Sequence, residues 1–184
     1  LSGLYSPGST IKPIVALSAL ENNIIDPKFK VRCKGKMELH GQTFHCWKEK
    51  GHGFMSLRNA MKQSCDTYFY EIARLLGVDR LKKTADKFGL GKKVLGEYFE
   101  NEKSGQFPDT KWKINNLGRG WVLGETLITG IGQGYTQTTP IQLCLMTAQI
   151  ANGGYKITPK ILTDDNQLTS EQVKRAMLNN NNDK

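Results

Sequence analysis

The chain has 184 residues, enough for one domain with its own core, and its 38% hydrophobic and 23% charged residues are an ordinary globular profile. No run of roughly eighteen apolar residues occurs, so no membrane span is expected within it, and no signal peptide heads it. The net charge of +9 suits anionic surroundings such as cell wall or phospholipid head groups, whereas scattered lysines without aromatic–basic interleaving argue against nucleic acid.

In chain order, Pro7-Gly8 makes a turn and Ser9 opens the first turn of a helix. Ile14, Val15, Leu17, Ala19 and Leu20 recur at helical spacing and predict a buried helix over residues 10–22, ending at Asn22-Asn23. Pro13 is tolerated because the first N–H groups of a helix have no intrahelical acceptor. Residues 28–53 read as irregular chain with strand-like pieces at 30–33 and 43–46, a small hairpin. Residues 57–63 and 67–76 give two helices joined at Ser64-Cys65-Asp66, and Gly77 stops the second. A further helix spans 79–88 and is closed by Gly89. Residues 91–120 have low periodicity and read as a long surface excursion, pinned to the body by packing of Trp112 and Trp121.

Residues 129–135 carry three alternate glycines, which allow close backbone approach; a phosphate loop is excluded because no Lys-Ser/Thr follows and no strand precedes. Thr139 and Pro140 begin a helix over 140–151 that Asn152-Gly153-Gly154 ends. A short strand is predicted at 157–162, a last short helix from the capping-box spacing of Thr169-Ser170-Glu171-Gln172, and a fraying Asn-rich tail at 179–184.

Chemistry enters with Ser9-Thr10-Ile11-Lys12, flanked by Pro7-Gly8 and Pro13. The i, i+3 spacing puts a hydroxyl and an amine on one helix face. A serine needs a base in contact to become a nucleophile, and a lysine serves only where its pKa falls by roughly three units, about 4 kcal/mol. A serine three before a lysine is expected about once by chance in a chain of this size, so the flanks carry much of the signal. Ser64-Cys65-Asp66, at a break between helices, is a second cluster: Ser64 can relay a proton and Asp66 can hold the loop, although Ser and Asp also begin helices routinely.

These two clusters, with Thr129-Gly130-Ile131-Gly132-Gln133-Gly134-Tyr135 and then Thr138-Thr139-Pro140-Ile141-Gln142, come in an order that resembles the transpeptidase domain of class B penicillin-binding proteins. Residues 47–53 (Trp-Lys-Glu-Lys-Gly-His-Gly) and 66–70 (Asp-Thr-Tyr-Phe-Tyr) are similar to the elongation-type subgroup, and the resemblance runs to about residue 162. It implies that Ser9 is the acylated nucleophile, Lys12 its general base, Ser64 and Asp66 the second catalytic motif, and Gly132, Gln133 and Gly134 part of the substrate-binding floor. The implied reaction cross-links D-Ala-D-Ala stem peptides of peptidoglycan and is trapped by β-lactams. A membrane glycan polymerase is the implied partner, the periplasmic side of the inner membrane the implied location, and an anchor, a pedestal and the first core strands are expected upstream. The implied fold is the helical part of the β-lactamase-like α/β transpeptidase fold: mainly α with a small β-hairpin, most of the core sheet missing.

The family's third motif, Lys-Thr/Ser-Gly on a core strand, is not matched after Tyr135. Lys103-Ser104-Gly105 spells it too early and stands before Pro108, which argues against a core strand, so it reads as a loop coincidence. The 184 residues are therefore expected to form a partial domain that transfers acyl groups poorly by itself. A serine β-lactamase of related fold and a non-catalytic zinc-stabilised binding module are the alternatives; no Glu stands out for activating a deacylating water.

The four cysteines are Cys33, Cys46, Cys65 and Cys144. Disulfides are the plain expectation for a periplasmic domain, with Cys33–Cys46 the leading pair. Cys144 lies in an apolar helical pattern and reads as a buried thiol, leaving three cysteines. Three thiolates and one imidazole make a closed tetrahedral zinc set, which Cys33, Cys46, His52 and Cys65 could supply, with 28–53 as the metal loop. The resemblance favours His52 over His40 or His45, because some relatives carry a metal site at matching positions.

Overall fold

The computed structural model describes residues 2–96, 99 and 101–160. The fold is mainly α, with seven helices and four short strands among the described residues. A 3-10 turn, Gly8–Ile11, leads into α1 (Lys12–Glu21), whose Pro13 takes an early position as expected. Ile14, Val15 and Ala19 of α1 are fully buried. The helix packs on α3 (Asp66–Leu76) and α4 (Val78–Lys87). α3 has a strong two-faced pattern: Phe69, Ile72, Ala73 and Leu76 go inside, and Glu71 and Arg74 pair on the outer side.

Between α1 and α3 lies more strand than the sequence predicts. β1 (Lys30–Cys33) pairs antiparallel with β4 (Gly53–Ser56), and inside that ladder β2 (Lys36–Leu39) and β3 (Gln42–His45) form a second antiparallel pair. Cys33 stands opposite Gly53 and Lys36 opposite His45, so both ends of the inner hairpin are brought back to one place. α2 (Leu57–Lys62) follows, its first turn capped by the Ser56 hydroxyl.

The stretch 91–120 is not wholly irregular: α5 (Thr110–Leu117) lies within it, capped by the Asp109 side chain and ended by left-handed Gly118. α6 (Leu123–Thr129) is a second unpredicted helix. Buried Lys113 of α5 pairs with both carboxylate oxygens of Glu125 in α6, at 2.6 and 2.7 Å. Trp112 packs on Tyr135 with ring centroids 5.3 Å apart, and the Trp121 indole donates to Thr126, so both tryptophans pin this region as expected. Lys103-Ser104-Gly105 lies in loop, as read from the sequence.

α6 rests on α3 through Gly130, where a β-carbon would stand 2.5 Å from that of Ala73. α7 (Pro140–Ala151) starts at Thr139 and Pro140 as predicted, and it carries a capping box that was not predicted, with Thr139 and Gln142 bonding each other's backbone N–H. It buries Gln142, Leu145, Met146 and Gln149, which puts Cys144 on its outer side; the expectation of a buried thiol there is wrong. The predicted strand at 157–162 has no ladder as far as residue 160. The remainder of it, the helix at 169–172 and the tail at 179–184 lie outside the described residues.

Candidate active site

Three elements meet at one cleft. The 3-10 turn presents Ser9, exposed to solvent; α1 sends Lys12 inward from its first residue; and the break between α2 and α3 carries Ser64, with Asp66 the first residue of α3. Packing of α1 on α3 closes a sequence separation of more than fifty residues. Lys12 Nζ donates to Asp66 Oδ1 at 2.7 Å, to Ser64 Oγ at 2.9 Å and to the Ser64 carbonyl at 2.9 Å. Its side chain is 2% exposed, so the stem is sheathed by the core and all three donors of an ammonium are used. Ser64 Oγ in turn donates to Ser9 Oγ at 3.0 Å. The sequence reading placed Lys12 beside Ser9 as its base; in the structure Ser64 bridges them, because Ser64 and Asp66 take up the lysine's donors.

Ser64 has φ of +50°, a left-handed conformation that is costly for a residue with a β-carbon. The Ser9 turn is held just as closely from below. Gly8 N–H donates to the Gly132 carbonyl at 2.9 Å. Gly132 has φ of +72°, and a β-carbon on it would stand 2.2 Å from the Gly8 carbonyl oxygen. Of the three residues assigned to substrate binding, Gln133 lines the cleft with Ser9, Gly132 supports the Ser9 turn, and Gly134 lines a neighbouring cavity. The cleft has a volume of about 470 Å³, and His45, Trp47, Tyr70 and Ile131 also line it. The neighbouring cavity, about 370 Å³, lies between Phe44 of β3 and Glu125 and Ile128 of α6. In the sequence Trp47 stands out only as part of the 47–53 motif. Tyr70 is 3% exposed and donates to the His45 carbonyl at 3.0 Å; burial, then the nearby Asp66 and Cys46, pushes its phenol up.

Behind the Ser64 loop, the side-chain donor atoms of Cys33, Cys46, His52 and Cys65 all lie within 4.8 Å of one another. All four cysteines are free thiols. His52 Nδ1 faces the sulfurs, 3.5 Å from Cys33 and 3.6 Å from Cys46, and His52 Nε2 is buried with no hydrogen-bond partner among the described residues. Burial opposes the Cys33 thiolate, but hydrogen bonds with the Thr67 hydroxyl, with His52 and with the Gly35 backbone outweigh it and lower that thiol to about 6. Burial pushes the Cys65 thiol up. His40 and His45 fall outside the cluster.

The description "Penicillin binding protein transpeptidase domain" matches residues 1–183. Among curated relatives, the peptidoglycan D,D-transpeptidase MrdA of Acinetobacter baumannii is 38% identical over 164 residues, which is 88% of this chain and 24% of that protein. The chain thus spans about a quarter of the length of the curated relatives it matches. Among solved structures, PBP2 from Pseudomonas aeruginosa superposes with a TM-score of 0.83 at 45% identity, covering 86% of this chain and 36% of that one. PBP2 from Helicobacter pylori, solved in complex with MreC, gives 0.83 at 36% identity, covering 95% and 34%.

Proposed function

Since the chain belongs to the penicillin-binding protein transpeptidase family, we propose that it supplies the nucleophile, the base and the second motif of a peptidoglycan D,D-transpeptidase working by serine acyl transfer. The observation that carries this reading is the connected set Lys12 Nζ–Ser64 Oγ–Ser9 Oγ, anchored by Asp66 at the edge of an open cleft.

Ser9 Oγ attacks the carbonyl carbon between the two terminal D-alanines of a stem peptide, and the C–N bond then breaks to release D-alanine. The proton leaving Ser9 passes through Ser64 Oγ to the amine form of Lys12. The hydrogen bonds in the structure point the opposite way, from Lys12 through Ser64, which is the direction needed to return a proton to the departing amine. Backbone N–H groups, that of Ser9 among them, stabilise the oxyanion. An acceptor amine attacks the acyl-enzyme, forms the cross-link and frees Ser9. β-Lactams imitate the donor and stop the sequence at the acyl stage. A membrane glycan polymerase is the proposed partner and the periplasmic side of the inner membrane the proposed location. No helix among the described residues is long and apolar enough to cross a membrane.

The sulfur–imidazole cluster fits a structural zinc ion: the donor set is right for a closed tetrahedral site, and His52 turns Nδ1 toward the thiols. Such an ion, held by Cys33, Cys46, His52 and Cys65, would supply no acid–base chemistry. It would tie the loop carrying Ser64 and Asp66 to the strand pairs through Cys65.

The test is covalent labelling of the full chain with a fluorescent penicillin. Slow label, as a partial domain should give, mapped to Ser9, abolished by Ser9→Ala and persisting for minutes or longer, is the expected result. Label retained in Ser9→Ala refutes the reading, and hydrolysis of the acyl-enzyme within seconds favours a β-lactamase.

A further inference from the structure

Trp47 is 63% exposed, yet both of its N–H groups are committed to the second motif. Its backbone N–H donates to Asp66 Oδ2 at 3.0 Å. Its indole N–H is shared between the Gln63 carbonyl at 3.0 Å and the Ser64 carbonyl at 3.1 Å. The ring stands edge-on to His52, centroids 5.1 Å apart, and forms a wall of the cleft that Ser9 lines.

The Ser64 carbonyl is therefore gripped by two donors, Lys12 Nζ from α1 and the Trp47 indole from the loop after β3. This is the peptide of the residue in the left-handed region. Left-handed serine persists only where its surroundings over-determine it. Here that conformation turns Ser64 Oγ onto Ser9 Oγ. A phenylalanine at 47 would keep an aromatic wall but lose the fork; an alanine would lose both.

We infer that Trp47 is a positioning residue for acyl transfer: its indole N–H holds the Ser64 peptide in the conformation that aims the Ser64 hydroxyl at the nucleophile. The inference rests on the acyl-transfer reading above. It assigns Trp47 no contact with a reacting atom; the effect runs through Ser64. Loss of the indole N–H should therefore slow the chemical step and leave ligand capture by the cleft wall largely intact.

The experiment separates the two with the full chain and a fluorescent penicillin, resolving the dissociation constant of the non-covalent complex from the acylation rate constant. Trp47 is replaced by its benzothienyl isostere, which puts sulfur where the N–H stood, by phenylalanine, and by 7-azatryptophan, which keeps the N–H. In the isostere and in Trp47→Phe the acylation rate constant is expected to fall at least tenfold with the dissociation constant within twofold. The 7-aza variant is expected to acylate at the native rate. A native rate constant in the isostere, or a loss confined to the dissociation constant, overturns the inference. So does a slow Trp47→Phe beside a native isostere, because ring volume alone then explains the effect. Ser9→Ala run alongside keeps the two readings apart: label surviving in it refutes acyl transfer by Ser9, whereas label lost in it beside a native isostere refutes only the role of Trp47.

Discussion

Replacing Lys12 by methionine keeps much of the buried stem and removes the charge. The Lys12 side chain is 2% exposed and that of Asp66 13%, so the variant strands a carboxylate that water reaches only narrowly. Removing one partner of a buried pair costs about 3–5 kcal/mol. Because Asp66 keeps a bond from the Trp47 N–H and some contact with solvent, the lower end, about 3 kcal/mol, is expected. At about 2–4 °C per kcal/mol for a domain of this size, the thermal midpoint should drop by about 6–12 °C. Asp66→Asn in the same background removes the stranded charge, and the double variant should recover stability. A double-mutant cycle by urea unfolding is expected to give a coupling of about 2 kcal/mol or more, against less than about 1 for an exposed pair. Acylation by a fluorescent penicillin should not recover with stability, remaining about 10²–10⁴-fold slow in both variants, because the proposed proton acceptor is gone. A double variant as unstable as Lys12→Met would sink the pairing argument. Acylation restored along with stability would show that Lys12 serves the fold rather than the chemistry.

Gly132→Ala drives a β-carbon into the Gly8 carbonyl and forces φ of +72° on an L side chain, so it should destabilise by more than about 1 kcal/mol and displace the Ser9 turn. Slow acylation together with a lower midpoint checks this, and native behaviour in both refutes it. Protein purified without added metal should contain close to one zinc per chain by elemental analysis, and Cys65→Ser should lose it. Zinc absent from the native protein beside an oxidised Cys33–Cys46 pair would dispose of the site.

Much of the frame was readable from residue order. Thr139 and Pro140 fixed the start of α7, α1 followed from apolar spacing, and α3 and α4 from helical patterns stopped by Gly77 and Gly89. The missed helices share a cause. α5 and α6 have eight and seven residues, the first rich in Asn and Lys and the second holding Gly124, so neither shows a clear apolar face. What joins them is tertiary, the Lys113–Glu125 pair, which local pattern cannot connect; the Asp109 cap on the Trp112 N–H is a local signal that was missed. Cys144 misled for a related reason. Apolar neighbours suggested burial, but the buried positions 142, 145, 146 and 149 mark one side of the helix, and 144 falls on the other.

The site residues were legible as types and order, and their connections were not. Ser9 and Lys12 lie one turn apart in sequence, which invites a direct bond; the inserted Ser64 comes from fifty-five residues further on. Packing of α1 on α3 brings it there, and its left-handed backbone goes with a hydroxyl that bonds Ser9. The Ser64 carbonyl takes donors from both Lys12 and Trp47, so the buried amine and the loop meet at one oxygen. Cys65 and Asp66 extend that dependence, the one joined to the sulfur cluster and the other to Lys12 and the Trp47 backbone. The nested strand pairs thus reach Ser9 through the Ser64 loop. They set where Cys33, Cys46 and Trp47 stand, and those residues lie against the loop whose left-handed Ser64 bonds Ser9.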